Sequence, residues 1–147
     1  MDWFEFIDLP KLQSVKLGGY AFQYTESFEM SNLPSLQSIM IGSGCFGKVR
    51  VFELNGLSEL ESVVIGSESF TYAKTKKEIW NSKRSDGSYR IVNCPKLKSI
   101  QIGDKSFSDY HSFELNNLPS LQSIDMGGYC FYYAPSFSLT GLIDGLV

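Results

Sequence analysis

The stretch Leu33-Pro-Ser-Leu-Gln-Ser-Ile-Met-Ile-Gly42 decides the fold, because four other stretches of the chain repeat its pattern. The five copies begin at residues 9, 33, 57, 94 and 118. Successive copies are 24 residues apart except for one step of 37, which contains 13 additional residues. A fixed period of this length is typical of repeat proteins, in which each unit packs against its neighbours in the chain.

Seven positions of the repeat are apolar in every copy. In the second copy these positions are Leu33, Leu36, Ile39, Ile41, Phe46, Phe52 and Leu54. Apolar and polar residues alternate in Ser38-Ile-Met-Ile41 and again in Phe52-Glu-Leu54, as they do in a strand that is buried on one face. The repeat therefore predicts a mostly β solenoid with two short parallel strands in each 24-residue coil, a coil being one turn of the solenoid. Residues 1–147 are expected to form a single domain.

The motif Leu36-x-x-Ile39-x-Ile41-Gly42-x-x-Cys45-Phe46 resembles the core of a leucine-rich repeat, with Cys, Ser or Ala where that family usually has Asn. Its Ile-Gly-x-x-[Ser/Cys/Ala]-Phe signature is similar to the BspA-like subclass. The match covers residues 9–141, and it departs from the subclass in the additional Phe-x-Leu strand and a slightly longer period. This resemblance implies a right-handed leucine-rich-repeat-like solenoid that binds a protein or another ligand, often at a cell surface.

Composition excludes several classes of protein. The chain has 147 residues, 43% of them hydrophobic and 20% charged, with a net charge of −3. This composition is that of a globular domain, and its negative charge argues against a general nucleic-acid binder. The sequence has no apolar run of about 20 residues for membrane insertion, and residues 1–8 lack the features of a signal peptide. We expect a cytoplasmic location if the chain is complete and a cell-surface location if it is a fragment.

The additional residues form an insertion within residues 71–88 of the third repeat. Residues 71–90 carry six of the 13 basic residues and two acidic residues, and Trp80 lies among them. Two interpretations remain open. The insertion is either a solvated loop with Trp80 packed on the solenoid, or a protruding basic and aromatic element that contacts a partner.

Motifs that suggest catalysis are explained better by the repeat. Gly42-x-x-x-x-Gly47-Lys48 approaches a phosphate-binding loop, but Val49 stands where Ser or Thr would bind magnesium and the next residues are typical of a strand. Asp109-Tyr-His-Ser112 has the residue types of a catalytic triad, yet Ser112 belongs to a repeat column of serines. One histidine and three widely spaced cysteines cannot form a zinc site, and Cys45 and Cys130 lie three coils apart, too far for a disulfide. We therefore expect no enzymatic activity and no cofactor.

The strongest candidate for a binding surface is a repeat position whose chemistry varies while its neighbours stay constant. It points outward from the first strand of each coil, on what we expect to be the concave sheet, and comprises Lys16, Met40, Val64, Gln101 and Asp125. Lys76, Lys77, Trp80, Lys83 and Arg84 are the candidates within the insertion. The sequence predicts a scaffold that contacts a protein partner through these residues. The alternatives are a structural protein that self-assembles through its terminal coils, and an anion-binding module that uses the insertion.

Two other repeat positions lead to predictions about the structure. A glycine follows the first strand of every coil, and we expect it to adopt a backbone angle that other residues avoid. Outward positions of the second strand are Glu5, Glu29, Glu53, Arg90, Glu114 and Ser138. Stacked glutamates repel one another, so we expect Arg90 to contact both Glu53 and Glu114.

Overall fold

The chain alternates between two parallel β-sheets, as the computed structural model shows for residues 3–72, 75–81, 86–132, 134 and 136–142. The first sheet has six strands: β1 (Trp3–Ile7), β3 (Ser27–Ser31), β5 (Val51–Asn55), β7 (Gly87–Val92), β9 (Tyr110–Leu118) and β11 (Ser136–Leu142). The second sheet has five: β2 (Ser14–Leu17), β4 (Ser38–Ile41), β6 (Ser62–Ile65), β8 (Ser99–Ile102) and β10 (Ser123–Met126). One short helix, α1 (Lys76–Trp80), lies between β6 and β7. The prediction of a mostly β solenoid with parallel strands is confirmed.

Strand pairing follows the sequence repeat. Ile39 of β4 pairs with Val63 of β6, which in turn pairs with Ile100 of β8 across the insertion. Phe4 of β1 pairs with Phe28 of β3, so the chain preceding the first repeat adds a strand to the six-stranded sheet. The register of neighbouring coils is therefore the register of the sequence alignment.

Two ladders of stacked aromatic rings fill the space between the sheets. One ladder consists of Phe22, Phe46, Phe70, Phe107 and Phe131, whose successive ring centroids are 4.7 to 5.5 Å apart. The other runs through Phe4, Phe28, Phe52, Tyr89, Phe113 and Phe137. Rings of the two ladders meet edge to face, as Phe52 and Phe70 do at 77°. Stacked and edge-to-face contacts are the favourable geometries of aromatic pairs, so each coil is held to the next by its rings.

Most residues of the apolar columns are buried, and the most exposed rings lie at the ends of the stack. Ile39, Phe46 and Leu97 are at most 1% exposed, whereas Phe22 is 39% exposed and Phe137 is 45% exposed. Phe22 and Phe137 occupy the first and last levels of their ladders. The strongly exposed ladder rings are thus at end levels, although Phe4 and Phe131, at the other two end levels, stay 5% and 3% exposed.

The expectation about the glycine column is wrong in its physical reason. Gly42, Gly66 and Gly103 are not among the residues with positive φ, whereas the ladder residues Phe46 and Phe107 have φ of 57° and 55°. A Cβ atom on Gly66 would lie 2.6 Å from the backbone nitrogen of Ser43 in the preceding coil. The glycines are required because adjacent coils approach too closely for a side chain, and the turn is made by the phenylalanine column.

A second set of residues with positive φ lies at or just after the ends of strands of the six-stranded sheet. Asp8, Asn32, Asn93 and Asn117 have φ between 51° and 57°. Asn32 Nδ2 donates to Asp8 Oδ1 at 2.6 Å, and Asn117 Nδ2 donates to Asn93 Oδ1 at 2.9 Å. Asn and Asp tolerate this conformation better than other side chains, and here they also link one coil to the next. Reasoning from the sequence missed this ladder, although its 24-residue spacing is visible there.

The only helix within the described ranges, α1, has five residues. No helix of those ranges is long and apolar enough to span a bilayer.

Candidate binding surfaces

The five residues of the variable column form one row across the five-stranded sheet. Lys16 pairs with Met40, Met40 with Val64, Val64 with Gln101, and Gln101 with Asp125. Adjacent parallel strands are about 4.8 Å apart, so the row is roughly 19 Å long. Lys16, Met40, Gln101 and Asp125 are exposed and Val64 is half-buried. We call this set the outer row.

A row of serines accompanies the outer row on the same face, since alternate residues of a strand point the same way. It consists of Ser14, Ser38, Ser62, Ser99 and Ser123. The intervening positions, such as Ile39 and Ile41, are 1% exposed. The face thus combines a constant row of small hydroxyl residues with a row that changes from a cation, through apolar residues and an amide, to an anion.

The insertion contributes α1 and its capping residue. Thr75 caps the helix by accepting a hydrogen bond from the backbone N–H of Glu78 at 3.1 Å. Ile79 is fully buried, whereas Trp80 is 56% exposed and Lys77 is exposed. The anchoring side chain of this helix is therefore Ile79, and the idea that Trp80 packs on the solenoid is wrong. Lys76 lies in α1 but its side chain is outside the described part, as are the whole of Lys83 and Arg84.

Arg50 joins the end of the insertion to the solenoid. Its guanidinium donates to Oδ1 of Asp86 from Nε at 3.1 Å and from Nη2 at 3.0 Å. It also donates to Asp109, from Nη1 to the carboxylate Oδ1 at 3.0 Å and from Nη2 to the backbone oxygen at 3.1 Å. The Arg50 side chain is 15% exposed and that of Asp109 is 1% exposed, so this second ion pair is largely shielded from water.

Tyr110 completes this junction beneath the arginine. The guanidinium carbon of Arg50 lies 4.9 Å from the centroid of the Tyr110 ring, a cation–π distance. The Tyr110 hydroxyl donates to the backbone oxygen of Val49, and a Cβ on Gly87 would lie 2.5 Å from the Tyr110 ring. Burial is the largest single influence on the pKa of Arg50 and would lower it, but Asp109, Tyr110 and Asp86 together outweigh burial and the pKa is raised. Arg50 is thus a permanent cation that links two coils separated by the insertion.

Arg90 makes both of the contacts expected of it. Its Nε donates to Glu114 Oε1 at 2.7 Å and its Nη1 donates to Glu53 Oε2 at 2.9 Å. These hydrogen bonds, first that to Glu114 and then that to Glu53, raise the pKa of Arg90. Glu5 and Glu29 pair directly with each other in the sheet register, at the other end of the column.

The small polar column inside the solenoid links coils through the glycine carbonyls. Ser69 Oγ donates to the oxygen of Gly42 at 2.9 Å, and Cys130 Sγ contacts the oxygen of Gly103 at 3.1 Å. Cys45, Cys94 and Cys130 are all free thiols. Burial raises the pKa of Cys94, and it raises that of Cys130 to about 11. Cys94 and Cys130 are therefore poor nucleophiles at neutral pH.

The residues that resemble catalytic motifs have structural surroundings in the solenoid. Asp109 forms an ion pair with Arg50. His111 is half-buried and Ser112 is exposed. Gly42 packs against the backbone of Gly18, and Gly47 approaches the backbone oxygen of Thr71. Within the described ranges no group of three or more His, Cys, Asp or Glu side chains is placed to hold a metal ion.

The Arg50–Asp109 pair is the main feature that sequence reasoning missed. The two residues are 59 positions apart and stand at different positions of the repeat. Neither belongs to a charged column, so the repeat pattern contains no signal for their contact.

Comparison of the chain with protein-family models, curated proteins and solved structures found no match.

Proposed function

We propose that the chain is a non-enzymatic interaction scaffold that contacts a protein partner through the outer row of the five-stranded sheet. The continuous row formed by Lys16, Met40, Val64, Gln101 and Asp125 is the observation that carries this proposal. In this proposal the solenoid is a right-handed, leucine-rich-repeat-like coil with two strands per turn, similar to the BspA-like subclass.

The contrast between constant and variable positions supports a binding role. The inward residues and the serine row are nearly the same in every coil, as a regular stack requires. The outer row is free of that requirement and presents Met40 with 43% of its surface exposed. Parallel sheets are usually covered on both faces, so an uncovered face with an exposed methionine is a suitable contact surface.

Site-specific photo-crosslinking tests this assignment. A photoreactive residue at Met40 or Val64 is expected to crosslink the same partner, identified by mass spectrometry. The matched control places it at Glu29, an exposed outward position of the six-stranded sheet. The double variant Met40→Asp, Val64→Asp should lose the partner while keeping a β-type circular dichroism spectrum. Crosslinking from Glu29 but not from Met40 or Val64 would show that the other sheet is the interface.

The insertion supports a second candidate function, an anion-binding module. Trp80 and Lys77 are both exposed on a helix whose Ile79 is fully buried, so an aromatic ring and a cation are presented from an anchored base. Binding to heparin-coated resin that falls with salt and is lost in Lys77→Glu, Trp80→Ala would favour this candidate. Binding retained in that variant, or lost in the Met40→Asp, Val64→Asp variant, would contradict it.

A further inference from the structure

Several charged residues that precede the insertion in the chain lie next to residues of opposite charge that follow it. In the turn before the first strand, Glu59 and Glu61 of the third repeat are followed by Lys96 and Lys98 of the fourth. The corresponding residues are Ser35 and Gln37 in the second repeat, and Ser120 and Gln122 in the fifth. In the second strand, Arg90 is the one cation of a column that otherwise holds glutamates and a serine.

The structure brings each of these residues to its counterpart. Lys96 Nζ contacts Glu59 Oε2, and Lys98 Nζ lies 3.2 Å from Glu61 Oε1. Arg90 Nη1 lies 2.9 Å from Glu53 Oε2. In all three pairs the acid precedes the insertion in the chain and the base follows it. The hydrogen bond to Glu59 is the first cause of a raised pKa at Lys96.

The exposure of these pairs shows that stabilisation is not their main effect. The six side chains are 38% to 60% exposed, and such ion pairs contribute little to the free energy of folding. Opposed charges do discriminate strongly between correct and incorrect partners, because a wrong partner leaves them unpaired or repelling.

The repeat makes such discrimination necessary. The inward residues of β4 are Ile39 and Ile41, and those of β6 are Val63 and Ile65, so β8 could pack its apolar face against either strand. Elsewhere a short connection brings each coil onto its predecessor. The connection from β6 to β7 has 13 additional residues, which weakens that constraint, and pairing between the wrong repeats is a common failure of repeat proteins.

We infer that the Glu59–Lys96 and Glu61–Lys98 pairs select the correct neighbour for β8, the first strand of the five-stranded sheet after the insertion. The Glu53–Arg90 pair does not discriminate, because Glu29 is level with Glu53 and would meet Arg90 in a register slipped by one coil. If β8 paired with β4 instead of β6, Lys96 would face Ser35 and Lys98 would face Gln37. Both Glu–Lys pairs would then be lost. The charges thus supply the pairing specificity that the longer connection no longer provides.

Disulfide trapping during refolding tests this role. Adjacent strands place paired Cα atoms about 4.8 Å apart, within disulfide reach, and strands two places apart are beyond it. Val64→Cys, Gln101→Cys therefore reports correct pairing of β6 with β8, and Met40→Cys, Gln101→Cys reports pairing of β8 with β4. The native thiols are replaced by residues that other repeats have at the same positions, in Cys45→Ser, Cys94→Leu and Cys130→Ser.

Each reporter is refolded from denaturant with five sets of charges, of which the neutral variant Glu59→Gln, Glu61→Gln is the fifth. With native charges, the correct disulfide should dominate. Glu59→Lys, Glu61→Lys should lower the ratio of correct to incorrect disulfide at least threefold, and adding Lys96→Glu, Lys98→Glu should restore it. The matched control is Ser120→Lys, Gln122→Lys, which repels the same two lysines across a boundary without an insertion and should leave the ratio unchanged.

Two outcomes would overturn the inference. The neutral variant Glu59→Gln, Glu61→Gln adds no repulsion, so its ratio of correct to incorrect disulfide should decrease less than that of Glu59→Lys, Glu61→Lys. One contrary outcome is that this ratio stays at the native value in both variants. The other is an equal decrease in the control at Ser120 and Gln122, which would show that the charges act at every boundary alike. A native ratio that falls as salt is raised supports the inference, since salt screens exposed charges.

Discussion

At the scale of single residues, two buried tyrosines show that a buried hydroxyl contributes to stability only when it has a hydrogen-bond partner. Tyr89 and Tyr110 are both fully buried. Tyr110 donates to the backbone oxygen of Val49, whereas the Tyr89 hydroxyl has no hydrogen-bond partner within the described ranges. Tyr89 lies in an aromatic ladder between Phe52 and Phe113, where burial raises its pKa. The ladder position requires a ring but makes no use of this hydroxyl.

We expect Tyr89→Phe to leave stability unchanged or to raise it by about 1 kcal/mol, because it removes an unpaired buried polar group. Tyr110→Phe is the matched control and should lower the free energy of unfolding by about 1–2 kcal/mol, since it leaves the Val49 carbonyl without that donor. Urea unfolding followed by circular dichroism measures both. A Tyr89→Phe variant destabilised as much as Tyr110→Phe would show that the Tyr89 hydroxyl does have a partner.

The glycine column supplies a second residue-scale prediction. A Cβ on Gly66 would lie 2.6 Å from backbone of the preceding coil, whereas a Cβ on Gly18 meets no atom within 4 Å. Gly66→Ala should therefore cost about 1–3 kcal/mol, because the coils must separate to accommodate the methyl group. Gly18→Ala should be neutral or slightly stabilising, as expected where an alanine fits. Equal urea midpoints for the two variants would refute close approach as the reason for this column.

At the scale of elements, the junction around Arg50 determines how the insertion meets the sheets. The strands β7 and β9 pair with a register irregularity between Gly87 and Ser88, and the Tyr110 ring fills the space beside Gly87. Arg50, which immediately precedes β5, reaches across β7 to Asp109, which immediately precedes β9. The irregular coil is thus bridged by side chains from the coils on either side of it.

Arg50→Met should destabilise the chain by about 3 kcal/mol, because it leaves the buried carboxylate of Asp109 without a counter-charge. The double variant Arg50→Met, Asp109→Asn should recover part of that loss, since the uncompensated charge is gone. A double-mutant cycle by urea unfolding measures the coupling between the two residues. Strictly additive effects of the two single substitutions would contradict the ion pair.

At the scale of the whole molecule, the two end coils differ from those between them. Phe22 is 39% exposed at one end and Phe137 is 45% exposed at the other, and β1, β2, β10 and β11 are edge strands. Exposed rings beside strands at the edges of the two sheets favour association with another chain.

We therefore predict that the chain self-associates, most simply as a dimer through one end coil. Light scattering over a hundredfold range of concentration should show a mass that rises above 16.5 kDa. Phe22→Lys should weaken association if the first coil is the interface, and Phe137→Lys should do so if the last coil is. A constant monomer mass at every concentration would contradict the prediction.

Much of the architecture follows from the sequence, because a solenoid reuses the same local solution in every coil. The repeat starts at 9, 33, 57, 94 and 118 identify which residues pair, and the alternation around Ile39 and Ile41 identifies which of them point inward. The same alignment places Arg90 between Glu53 and Glu114, because each strand pairs with its equivalent one coil away. It also collects the outer row on one face.

The tertiary structure alone decided the features that break or end the repeat. The burial of Ile79 instead of Trp80 depends on how α1 lies against the rest of the chain, which no periodicity records. The pairing of Arg50 with Asp109 joins residues at different repeat positions, 59 residues apart, across the coil that carries the insertion. The glycine column reflects the distance between coil backbones, and the exposure of Phe22 reflects its place in the stack. Periodicity in a sequence specifies what equivalent residues do, whereas unique contacts depend on three-dimensional distances that periodicity does not contain.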